Sequence, residues 1–480
     1  MNTVQRLFSN TFLALISQIV VKAGNSVLFI LIGRWLGPAD SGAFSLGTTY
    51  FTLVFGLSAL GLHELLVREL TPRRDQSRRY FANYLVLRVT LAVATYGLLL
   101  LGLRLFLPYS ETTNQVILIL ALAAIPEAAF SICQSLFESH ERLTMPMVAA
   151  LAGSAVKLAA GIWLLQGGYG VVAAAWAVPA GSVVSLLFFL PALARLFRST
   201  PQTQTGRVSA GFLREQLRAT PSFFVIHLFS LVDYQTDVFL ISLMLTEAQL
   251  GFYSAAQTIL LAFNLMPIAI RAAIYPVMTR YHHTAPDKLA VLYEKATHYL
   301  LALVLPMAAG VTLLARPMIR LIFGPSFEPA VPVLQISIWA IVFLFLNVPS
   351  ARLLLINNYQ RQASVMFGIA MAINVSLNLL LIPRLGINGA AVARTASNFT
   401  LFLTFQLFAH RRIMSLRLAP MLVRPLVATA VMAAVVWPLR DALLPGIVVG
   451  AAVYAVTAFA LGVFPRRDLA YWQQLVHFHS

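Results

Sequence analysis

Leu36-Gly37-Pro38-Ala39-Asp40-Ser41-Gly42-Ala43-Phe44-Ser45 returns later in the chain as Leu245-Thr246-Glu247-Ala248-Gln249-Leu250-Gly251-Phe252-Tyr253-Ser254. The shift is 209 residues; it sets Leu36 on Leu245, Ala39 on Ala248, Gly42 on Gly251 and Ser45 on Ser254. Each copy joins two long apolar stretches. A second match, at a shift of 218, sets Gly168 and Ala173 on Gly386 and Ala391. The chain therefore reads as two related halves. With six membrane spans in each, both halves have the same orientation, a parallel repeat about an axis along the membrane normal, and such folds place the substrate path between the halves.

The composition requires a membrane. Of 480 residues, 59% are hydrophobic and only 11% are charged, whereas soluble domains carry about 25% charged residues. A spanning helix needs about 20 apolar residues. Fourteen segments qualify: 11–32, 41–62, 83–103, 115–137, 145–166, 169–190, 220–245, 251–278, 297–315, 331–353, 363–382, 387–409, 421–439 and 446–464. The expected fold is an all-α integral membrane protein with 14 transmembrane helices, arranged as two pseudo-symmetric six-helix lobes plus two C-terminal helices. The N-terminal lobe is expected over 1–193, a cytoplasmic linker over 194–219 and the C-terminal lobe over 220–409. Two further spans follow over 410–464, then a cytoplasmic tail over 465–480. Connections of about a dozen residues leave no room for a large extramembrane catalytic domain.

The charge pattern orients the chain. The formal charge is +17, and of 34 basic residues only Lys22, Lys157, Lys288 and Lys295 are lysines. With the N-terminus inside, twenty-one basic residues fall in cytoplasmic segments and six on the opposite side. That asymmetry follows the positive-inside rule and places both ends in the cytoplasm. One cysteine, Cys133, excludes an internal disulfide framework. No lysine lies in a phosphate-binding glycine loop, so ATP is not the direct energy source within this chain. No cofactor and no nucleic-acid partner is expected. In the linker, Val208, Phe212, Leu213 and Leu217 form one face of a short helix, with Arg214 and Arg218 toward headgroups, or the segment is simply solvated.

Four stretches carry a family likeness: Leu36 to Gly42; Asp237-Val238-Phe239-Leu240-Ile241 to Gly251-Phe252-Tyr253-Ser254-Ala255-Ala256; Phe323-Gly324-Pro325-Ser326-Phe327 with Ala330 and Leu334; and Asn378 through Ile382-Pro383-Arg384-Leu385-Gly386 to Ala391. By their order and spacing over roughly residues 5–410, the sequence resembles the polysaccharide-biosynthesis, or Wzx-like, flippases. These belong to the multidrug/oligosaccharidyl-lipid/polysaccharide exporter (MOP) superfamily, which includes the MATE transporters. The resemblance implies alternating access that carries a polyprenyl-diphosphate-linked oligosaccharide across the cytoplasmic (inner) membrane. The product would be a surface polysaccharide such as O-antigen or exopolysaccharide. Membrane lipids, a polysaccharide polymerase and chain-length machinery are the implied partners. The alternatives are a multidrug or lipid II-type exporter and a polyprenyl-dependent enzyme. The enzyme is disfavoured because the longest outer connection, about 316–330, holds only Glu328 as an acid.

Charges within the spans nominate the path, since a mid-bilayer charge costs about 2.5–3.5 kcal/mol on insertion scales and needs a cavity, partner or interface. The lipid II flippases carry basic residues in their first and eighth spans, which Lys22 and Arg271 resemble by span. Arg88, Lys157 and Arg394 complete the candidates for a diphosphate, because guanidinium binds phosphate bidentately and ammonium adds a point charge. Pairing of Lys22 with Asp233 or Asp237, and snorkelling of Arg271 or Arg88 to an interface, are the structural alternatives. Glu127, Asp233 and Asp237 are candidates for ion coupling or for charge pairing.

Overall fold

The computed structural model describes residues 3–106, 109–199, 206–219, 221–263, 274–275, 277–282, 284–414 and 418–464. Among them the chain is helical throughout, with no strand. Among the described residues ten helical stretches are long and apolar enough to cross a membrane. Large apolar side chains face outward along them, including Leu98, Val448, Val456 and Phe459, each more than 60% exposed. In water such a surface would be untenable; in a bilayer every backbone amide is satisfied within its helix, and the apolar face meets lipid. This is a multi-pass membrane protein.

The chain divides into two compact units, 1–251 and 252–480. Unit 1 begins with α1 (Thr3–Leu36) and α2 (Pro38–Ala59). Gly37, at φ 95°, turns the chain, and Pro38 opens α2 where its missing N–H costs nothing. After α2 come the short α3 (Leu62–Leu70) and the long α4 (Ser77–Phe106). The fourth apolar segment is two helices, α5 (Glu111–Leu122) and α6 (Ala124–Ser139). Pro126 sits in the first turn of α6, where it is tolerated. Next are α7 (Thr144–Gln166), the one-turn α8 (Gly170–Ala175) and α9 (Ala177–Ser199). The linker forms α10 (Ala210–Ala219), followed by α11 (Pro221–Met244) and α12 (Glu247–Phe263).

Helix α10 docks on protein rather than lying only on lipid. Phe212 is buried against Tyr80 and Tyr84 at ring separations of 5.1 and 6.3 Å, and Tyr84 donates to Gln216 at 2.6 Å. Val208 and Leu217 remain exposed. Beneath this helix lies a hydrophobic core, where Leu66, Leu136, Phe137 and Phe189 are almost wholly buried.

Unit 2 holds α13 (Pro286–Ile322), α14 (Ala330–Ile356), α15 (Gln360–Leu385), α16 (Ile387–Arg412), α17 (Leu418–Val436) and α18 (Leu443–Ala460). At 37 residues α13 is about 55 Å long, well beyond a 30 Å hydrocarbon core. A neutral knot ties it to α14 and α16: Tyr293 Oη lies 2.9 Å from Ser350 Oγ, and Gln406 donates to Tyr293 at 2.8 Å and to Ser350 at 3.0 Å. The last two helices lean on α13. Tyr454 donates to the Ala302 carbonyl at 2.5 Å, and His298 contacts the carbonyls of Met421 at 3.1 Å and Val463 at 2.9 Å.

Candidate functional site

The repeated junction brings its two copies together. A Cβ added to Gly42 would land on the carbonyl oxygen of Glu247, and one added to Gly251 would land on the carbonyl oxygen of Pro38. The first turns of α2 and α12 thus meet glycine to glycine, with reciprocal contacts that mirror the sequence repeat. Around them Tyr50 Oη lies 3.2 Å from Tyr109 Oη, which lies 3.0 Å from Ser242 Oγ of α11. Glu247 accepts from Ser110 at 2.6 Å and from Thr113. Asp40 stands close to Glu247, and burial, reinforced by that second carboxylate, pushes Asp40 above the usual carboxylate range.

Deeper in unit 1 the predicted charges converge. Arg88 on α4 is 2% exposed. It does not snorkel: it donates to Ser58 Oγ at 2.5 Å and to the Phe55 carbonyl at 3.0 Å, and lies 4.6 Å from the centre of the Phe55 ring. The partners that α2 presents outcompete a reach to the interface. Glu127 on α6 sits against Ser182 of α9 and within electrostatic reach of both Lys157 and Arg88. Lys157 on α7 donates to Asn25 of α1. Lys22, half-buried, is three residues before Asn25, hence on the adjacent helical face. Close helix packing makes this possible: Gly153 of α7 faces Gly181 and Ser185 of α9, and Gly24 of α1 faces Ser154 of α7.

Three predicted residues, Arg88, Glu127 and Lys157, are therefore brought together, Arg88 and Lys157 each within electrostatic reach of Glu127; Lys22 is placed only by its position one turn before Asn25. Asp233 and Asp237 lie on α11 in the same unit, with Asp237 buried and Asp233 half-buried, and both are engaged. Arg394 is half-buried and engaged on α16 in unit 2. Arg271 lies outside the described residues. The sequence reading did not single out Asn25, Ser58 and Ser182 as the polar partners of these charges. Their one signal is a polar residue inside an apolar span, which many packing serines and asparagines share. Among the described residues no cluster of His, Cys, Asp or Glu is placed to hold a metal ion.

The pattern for polysaccharide biosynthesis proteins matches residues 31–332, well over half of the chain. The chain belongs to that family. A relative from Haloferax volcanii, the probable low-salt glycan biosynthesis flippase Agl15, is 23% identical over 378 residues, covering 76% of this chain and 75% of the relative. Among solved structures, the lipid II flippase MurJ in an inward closed conformation superposes with a TM-score of 0.74 at 15% identity, over 96% of this chain and all of that one. An inward-facing MATE-family multidrug resistance transporter of the MOP superfamily gives a TM-score of 0.66 at 17% identity, over 81% of this chain and 94% of that one. At these identities the structures establish a shared fold. The family membership comes from the match over 31–332.

Proposed function

We propose that this family member is a flippase, not an enzyme, and that it carries a polyprenyl-diphosphate-linked oligosaccharide from the inner to the outer leaflet of the cytoplasmic membrane for a surface polysaccharide. The observation that carries this reading is the alignment with a probable glycan biosynthesis flippase over three quarters of both chains. On this reading the fourteen apolar segments are fourteen spans, in lobes 1–193 and 220–409 with two C-terminal helices, and both ends are cytoplasmic. A polymerase and chain-length machinery would take the product.

The substrate's charge is argued from chemistry. A diphosphate is prohibitive to bury unpaired. Arg88 and Lys157 lie within electrostatic reach of Glu127, and Lys22 precedes Asn25, the partner of Lys157, by one helical turn. Arg88 is already committed to α2, so its role is to position Glu127 and the adjacent helices; Lys22 and Lys157, with Arg271 and Arg394, are the cations assigned to the headgroup. Glu127, Asp233 and Asp237 balance these cations or couple an ion. The glycine contact of α2 with α12 is the outer closure that separates in alternating access. With the inside negative, outward movement of an anion is favoured by about 2.3 kcal/mol per charge per 100 mV.

Transport in proteoliposomes tests this directly, with a labelled polyprenyl-diphosphate oligosaccharide beside a cationic dye. Movement of the glycan lipid alone is the expected result. Movement of the dye alone would overturn the proposal and make the protein a drug exporter.

A further inference from the structure

The arginine-rich end of unit 1 contains a second basic feature, separate from the charged interior. A cavity of about 410 Å³ opens there between the start of α4 and the end of α9. Arg78, Phe81 and Ala82 form one wall, Phe197 and Arg198 the other, and Gly206 of the linker closes one side. The cavity is built rather than incidental. Arg78 donates to the Phe197 carbonyl at 3.3 Å, and Phe81 meets Phe197 edge-on at 5.6 Å. The linker is tied down by Asn83, which donates to the Arg207 carbonyl at 3.1 Å and accepts from the Ser209 amide at 2.8 Å. Asn83, next to the wall residue Ala82, is fully buried, so the linker is anchored to the core beside the cavity.

Beyond the cavity, the same faces of the two helices carry exposed apolar side chains. On α4, Val86 and Val93 are exposed at helical spacing beyond Ala82; on α9, Leu187 and Leu190 are exposed before Ala194. Helix α6 supports α9 at this level, with Phe130 and Phe137 packed on Phe189 at 5.2 and 5.1 Å. Two guanidinium groups at one end and an aliphatic track leading away from them match a molecule with a phosphate head and a hydrocarbon tail.

The geometry points to a binding site for an anionic phospholipid, its phosphate between Arg78 and Arg198 and an acyl chain along Val86 and Leu187. Charge complementarity and the adjoining apolar track select this occupant over a soluble anion, which would gain nothing from the track. The inference rests on the membrane-spanning fold and is independent of the substrate proposed above. The full chain, purified in detergent, is tested by native mass spectrometry against phosphatidylglycerol and phosphatidylcholine at equal concentration. The expected result is a preference of about fivefold or more for phosphatidylglycerol, lost in Arg198→Gln. That exposed substitution leaves the Arg78 bond to Phe197 in place. Arg78→Gln should lose it equally. An unchanged preference in Arg198→Gln overturns the site. Displacement of phosphatidylglycerol by inorganic phosphate at equal concentration also overturns it, because the track would then contribute nothing.

Discussion

At Gly42 and Gly251 two helix starts approach until only hydrogen fits between their backbones, whereas deeper in unit 1 Arg88, Glu127 and Lys157 are drawn together from three other helices. The junction is made of shape and the interior of charge. The junction is also self-similar, each glycine facing the other copy's carbonyl, while the interior has no counterpart in the neutral Tyr293–Ser350–Gln406 knot of unit 2. A duplicated segment can preserve a close backbone approach, because the requirement is simply the absence of a side chain. Charge inside a membrane must be balanced one residue at a time against its own surroundings, so the cluster around Glu127 depends on particular partners in a way that the Tyr293–Ser350–Gln406 knot, built of hydroxyls and an amide, does not.

The largest effect should come from breaking the shape. Gly42→Val puts a branched side chain onto the Glu247 carbonyl, which is backbone and cannot rotate away. Glycan-lipid transport is expected to fall below detection while membrane insertion and yield stay near normal. Gly251→Val should do the same, since its obstacle is the Pro38 carbonyl. Normal transport in either variant would mean that the contact has no part in the cycle.

A smaller effect is expected from reversing a charge. Lys157→Glu sets a second carboxylate toward Glu127 and removes the donor to Asn25. Transport should drop by about tenfold or more, in line with a coupling of more than 1 kcal/mol between close charges of low-dielectric sites. Lys157→Arg should retain most of it, and the double variant Lys157→Glu with Glu127→Lys should recover part. If Lys157→Glu transports normally, the interior is structural and the comparison with unit 2 loses its functional meaning.

These two regions were unequally legible before the structure was known. The junction could be read because the repeat places Gly42 and Gly251 at the same point of the same motif, and small residues at helix starts have a direct steric meaning. That the two copies touch each other required the fold. Lys157 and Glu127 were visible as charges in apolar spans, but their partners were not: Asn25 lies 132 residues from Lys157. For Arg88, a candidate for the diphosphate, the alternative of snorkelling stayed open because its distance from the span's end can be counted, while Ser58 and the Phe55 carbonyl, which hold it, belong to another helix. Likewise the amphipathic face of α10 was plain in Phe212 and Leu213, yet the sequence cannot distinguish a lipid surface from the tyrosines of α4 as the thing it covers.

The smallest effect tests whether the junction is made of shape alone. Asp40 and Glu247 stand at the starts of α2 and α12, where each helix dipole favours a negative charge, but the two carboxylates repel and Asp40 is half-buried. Its pKa is therefore raised in the folded protein. A carboxyl with a raised value binds its proton more readily folded than unfolded, so stability increases as pH falls through that raised value and is lost again as pH rises above it. Because Asp40 is partly open to solvent, the gain should stay below about 1 kcal/mol and shrink with salt. Thermal unfolding between pH 4 and 7 should show wild type gaining on Asp40→Asn toward the acid end, with the difference reduced in high salt. Parallel profiles would leave the junction purely steric; a difference of the opposite sign would mean that the dipoles, and not the second carboxylate, govern Asp40.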